Sequence, residues 1–87
     1  MDLIFAKSAA KHQIPKSGVL KIINEKSGTK IGVSREGLDK LAWIGLVDFH
    51  QMVEIIAIDF VRYFYVIHVM PIKKRGVIKD DQMEGLW

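Results

Sequence analysis

Apolar positions recur at two different periods in this chain, and the change between them falls near Gly28. Before that point the spacing is helical. Val19, Ile22 and Ile23 stand at i, i+3 and i+4 and form one stripe, with Lys16, Lys21 and Lys26 off it. Pro15 presets the first turn of such a helix, where its missing N–H would be unpaired in any case, and Ser27-Gly28 is a plausible stop. A helix over about 15–26 is predicted. Ahead of it, Ala6, Ala9 and Ala10 predict another over about 5–12, which Ile14-Pro15 interrupts.

After Gly28 the pattern is that of strands: 29–33, 40–47, 52–58 and 63–70, with a turn around Gly37, polar breaks at 48–51 and 59–62, and Pro71 as the end of the last strand. Breaks this short favour antiparallel hairpins over crossovers. The expected fold is α+β: two N-terminal helices (5–26) followed by a four-stranded, mainly antiparallel sheet (29–70). Residues 71–87 form a basic, irregular tail, and the whole chain, 1–87, is one domain. Strict alternation along the last strand places Phe64, Val66, His68 and Met70 on one face and Tyr63, Tyr65, Ile67 and Val69 on the other. It likewise groups Glu54 with Met52, Ile56 and Ile58. Both faces are apolar in places, which predicts helices on one and a groove or a partner on the other.

Composition narrows the class. With 49% hydrophobic and 26% charged residues the chain is globular rather than disordered, and with no cysteine it has neither a disulfide nor a thiolate metal site. The apolar stretch 52–70 contains Glu54, Asp59 and Arg62, each costing about 2.5–3.5 kcal/mol at the centre of a spanning helix, so no membrane insertion is expected. The acidic start and the short apolar run after it do not read as a signal peptide, and a cytoplasmic location is expected. Charge is uneven. Residues 1–30 carry six lysines against Asp2 and Glu25, and Lys73, Lys74 and Arg75 cluster just after residue 70. On so small a fold the two segments can merge into a patch that attracts a polyanion, nucleic acid being the commonest; the competing reading is that lysines solvate helix faces.

Two strings are distinctive together: Lys7-Ser8-Ala9-Ala10-Lys11-His12 leading through Gln13-Ile14-Pro15 into an apolar helix, and Val66-Ile67-His68-Val69-Met70-Pro71 leading into basic residues. In order and spacing they resemble the small bacterial toxins related to BrnT, of the RelE-like fold, over about residues 6–75. The resemblance implies the toxin of a type II toxin–antitoxin system: a metal-free endoribonuclease acting on messenger RNA and held inactive by a small antitoxin protein. Gln13 stands where relatives have glycine, Lys73 where they often have arginine, and no tyrosine follows Arg75. Lysine lacks the planar fork with which arginine grips phosphate.

Metal-independent RNA cleavage needs a base for the 2′-hydroxyl and cations for the phosphorane. His68 is the acid–base candidate, Lys73 and Arg75 are the phosphate clamps, and Lys74 is an electrostatic guide, with Lys11 and His12 as further RNA contacts. Each has a structural alternative: a hydrogen-bonded histidine beneath a helix, a solvated basic tail, and cations complementing a helix C-terminus. Glu54 is either a base or an ordinary strand carboxylate, and Trp43, Tyr63 and Tyr65 either stack on unpaired bases or fill the core. No metal-ligand spacing, P-loop or dinucleotide fingerprint is present, so no cofactor is expected. The expected partners are RNA and the antitoxin, and a homo-oligomer is compatible with both. Two rival functions stay open. Ala9, Ile14, Val19 and Ile22 match helix-turn-helix spacing, with a turn at Gln13 and a basic second helix for DNA. A non-catalytic interaction module, descended from such a toxin, is the other.

Overall fold

The computed structural model describes residues 2–10, 12–47 and 51–72. The elements are β1 (Asp2–Phe5), a single 3₁₀ turn at Lys7–Ala10, α1 (Lys16–Glu25), β2 (Thr29–Val33), β3 (Asp39–Leu46), β4 (Met52–Asp59) and β5 (Tyr63–Ile72). They form one five-stranded mixed sheet in the order β1-β5-β4-β3-β2, antiparallel throughout except for the parallel β1–β5 pair.

Two N-terminal helices and a four-stranded sheet were expected, and this is corrected. In place of the first expected helix, over about 5–12, stand the last residue of β1 and the 3₁₀ turn, and β1 itself is a strand that was not expected. Leu3 and Phe5 alternate toward the core and pair with Phe64 and Val66. The chain then turns as the Ala6 N–H donates to the Val66 carbonyl and the Ser8 hydroxyl to the Ile67 carbonyl. Those long-range bonds hold the segment 5–10 against β5, where no helix can form. Pro71 does not end β5 either, and pairs with Val53. Among the described residues β5 pairs beyond Val66 with β4 alone, and a strand edge of that kind admits proline.

The core lies on one face of the sheet. Val53, Ile55, Ala57, Val66 and Trp43 are buried there under Val19, Ile22 and Ile23 of α1. At roughly 1.5–3 kcal/mol for each large aliphatic side chain buried, this layer supplies most of the favourable burial. The backbones come close where α1 crosses β3: a Cβ on Gly45 would lie 3.0 Å from both γ carbons of Ile22. A Cβ on Gly28 would lie 2.7 Å from the Trp43 ring. The indole N–H donates to the Lys26 carbonyl at 3.0 Å, and Lys26 Nζ donates to the Ile44 carbonyl at 2.8 Å, tying the end of α1 to β3. Among the described residues no helix is long and apolar enough to cross a membrane.

Candidate functional site

The second face of the sheet has no helix over it among the described residues, and a β-bulge decides what it displays. In the β4–β5 ladder Ile56 pairs with His68 and Ala57 with Val66, so Ile67 is an extra residue on β5. A bulge restarts the alternation. Tyr63, Tyr65, His68, Met70 and Ile72 therefore share the open face, while Phe64, Val66, Val69 and Pro71 face the core. The alternation read from the sequence had His68 beside Phe64 and Val66, which holds only for a strand without a bulge. The Ile67 carbonyl at the bulge is satisfied by the Ser8 hydroxyl.

On the open face His68 meets Glu54 of β4, with Nε2 to Oε1 at 3.1 Å, and the two side chains are 34% and 37% exposed. The pair is accessible yet framed by apolar neighbours, since His68 sits across from Ile56 and Glu54 lies between Ile44 and Met70 in the cross-strand rows. With the carboxylate accepting from Nε2–H, Nδ1 is the nitrogen left with a lone pair toward solvent or substrate. This is a histidine oriented by a carboxylate, an arrangement able to take up a proton and stabilise the imidazolium that results.

Two different regions flank the pair. At the β4–β5 hairpin end, Phe60 and Tyr63 stack with ring centroids 5.0 Å apart and planes 6° apart, and Tyr65 meets Phe60 edge-on at 6.3 Å. Toward β2 and β3 the face is aliphatic: Ile31, Ile44 and Leu46 are all about half exposed. A shallow depression of ≈ 390 Å³ lies among Thr29, Ile31, Ala42, Trp43, Ile44 and Glu54.

Of the residues singled out from sequence, His68 lies at this site. Lys11, Lys73, Lys74 and Arg75 lie outside the described residues. His12 is exposed, and the 3₁₀ turn before it packs Ala9 into the core on the opposite face, so His12 and His68 are not brought together. There is no α-helix ending at His12, so its suggested dipole role lapses. Trp43 is core, held by Phe64 and Lys26, and is not a base-stacking surface. The helix-turn-helix spacing does not yield a helix pair. Ala9, Ile14, Val19 and Ile22 recur because each packs into the core cluster or against it. Phe60 was missed, and its signal was its place beside the two-residue turn ahead of Tyr63. The Glu54–His68 partnership was missed because it depends on register and on the bulge. Among the described residues no three His, Asp or Glu side chains converge to hold a metal ion. No protein-family model, curated protein or solved structure matches the chain.

Proposed function

We propose that the chain is the toxin of a two-protein toxin–antitoxin pair and cleaves RNA without a metal, with His68 as the acid–base group and Glu54 as the residue that orients it. The observation that carries this reading is the 3.1 Å His68–Glu54 pair on a face that has no helix over it among the described residues. In the proposed step Nδ1 of His68 takes the 2′-hydroxyl proton, the 2′-oxygen attacks the adjacent phosphorus, and the P–O5′ bond breaks to leave a 2′,3′-cyclic phosphate and a 5′-oxygen that takes its proton from water. Glu54 stabilises the imidazolium formed. Lys73 and Arg75, which follow β5 directly in sequence, are the proposed clamps on the phosphorane, and Lys74 steers the polyanion. Lys11 is retained as an outlying RNA contact.

A second reading, a non-catalytic interaction module, is favoured by the aliphatic part of the face. Contiguous exposed apolar surface on a small domain marks a protein–protein site, and the same surface supports a protein partner in either reading. Induction of the wild type, His68→Ala and Glu54→Gln in a bacterial host separates the two. The ribonuclease reading expects growth arrest and messenger RNA loss with the wild type, a drop of about 10²–10⁴-fold in cleavage by purified His68→Ala, and a smaller drop with Glu54→Gln. Equal cleavage by wild type and His68→Ala would overturn the assignment of His68. No cleavage by soluble wild type would leave the interaction module.

A further inference from the structure

We infer that the aromatic corner at the closed end of the β4–β5 hairpin is a stacking platform for an unpaired base of single-stranded RNA. This rests on the RNA reading above and adds to it the strand form the site selects and the place where a base sits. Phe60, Tyr63 and Tyr65 lie on the open face, away from the core beneath α1, and all three rings are half-buried rather than enclosed. Their arrangement is held at some cost. Val61 has φ 76° and is 77% exposed, and Arg62 N–H donates to the Phe60 carbonyl at 2.9 Å, which closes a γ-turn around a β-branched residue. The Val61 N–H is taken by the Asp59 carboxylate at 2.7 Å. This tight turn joins the two residues whose rings lie parallel, Phe60 and Tyr63.

A parallel ring pair offers a third aromatic plane the same contact, and every nucleobase has such a plane, so recognition is of unpaired bases and tolerant of sequence. Arg62, exposed at the tip, is placed for a phosphate. Asp2, paired with Tyr63 across β1–β5, favours the base over the phosphate at that position. Register supplies the spacing to the chemistry. Tyr65 and His68 stand opposite Ile58 and Ile56, two residues or about 7 Å along the ladder, and Tyr63, two residues before Tyr65, lies about 7 Å further, so the ring pair and His68 are about two nucleotide repeats of an extended strand apart. A base on the Phe60–Tyr63 pair therefore leaves room for one more nucleotide before the linkage beside His68.

The test is fluorescence anisotropy with a fluorescein-labelled 2′-O-methyl RNA 12-mer, which cannot be cleaved by 2′-attack, beside the same backbone with every base removed and the same sequence as a duplex. The wild type is expected to prefer the single strand with bases. Tyr63→Ala is expected to weaken that binding about 5- to 100-fold and to erase the preference over the abasic strand, with Tyr63→Phe at the wild-type value. Tyr63→Leu, which keeps apolar volume without a ring, is expected to behave as Tyr63→Ala and guards against a folding defect in it. Equal binding of the based and abasic strands by the wild type, or an undiminished preference in both Tyr63→Ala and Tyr63→Leu, overturns the platform while leaving the RNA reading in place. No binding of any RNA overturns both.

Discussion

The two faces of the sheet are built from the same strands, yet among the described residues only one of them lies beneath a helix. On the covered face Val53, Ile55 and Ala57 alternate along β4 with no exposed surface, beneath α1. On the open face Glu54 occupies the same strand, and Ile44 and Leu46 of β3 stand about half exposed beside it. Among the described residues no helix lies over these apolar side chains. The comparison separates residues kept for stability from residues kept for contact, and it can be broken by measuring what each side costs to alter.

The largest cost is expected at Trp43. Its ring lies in the core with Phe64 edge-on at 5.3 Å and anchors the end of α1 through its N–H to the Lys26 carbonyl. Trp43→Ala removes a large buried ring and leaves that carbonyl unpartnered, and should lower the unfolding free energy by about 3–5 kcal/mol in urea titration. Next is Gly45→Ala. The new methyl would press on the two γ carbons of Ile22, which are 3.0 Å away, a loss of about 1–3 kcal/mol. Ile22→Ala in the same chain should recover part of that loss, because it removes both crowded carbons; additive losses would mean that α1 does not cross β3 at Gly45.

Much of the covered face was legible in the sequence and little of the open face was. α1 and β2–β4 lie within one residue of the expected bounds, because each carries its own period and stop signals. β1 was not expected, since its four residues offer almost no period and its parallel partner lies some 60 residues away in the chain. Alternation predicts a face only while each residue advances the strand by one. The extra residue at Ile67 breaks that rule where His68 follows, so the residue type pointed to the site and its orientation was unreadable. The basic cluster after β5 was plain in the sequence, but it lies outside the described residues.

Smaller effects of opposite sign are expected at the two strained positions. Val61 and Gln13 both have positive φ, 76° and 55°. A side chain in such conformations costs about 1–3 kcal/mol, and glycine returns about 0.5–1 kcal/mol of that as lost chain entropy. Val61→Gly should therefore stabilise by about 1 kcal/mol, since an exposed valine gives up little packing, and Gln13→Gly by about half as much. A loss of stability at Val61→Gly would mean that the hairpin tip packs against something.

The smallest expected effect carries the comparison of faces furthest. Ile44→Thr keeps the β-branched shape at a position half exposed to solvent, and its carbonyl bond to Lys26 is a backbone feature the change does not touch. Its cost should lie within about 0.5 kcal/mol, as for ordinary surface changes. Ile55→Thr, on the neighbouring rung but fully buried, places an unpaired hydroxyl in the core and should cost several times more. Thermal melts of the two proteins at low and high concentration give the contrast directly. If Ile44→Thr costs as much as Ile55→Thr, and more so at high concentration, the open face is covered in solution by a second copy of the chain, and His68 is then reached only after that copy leaves.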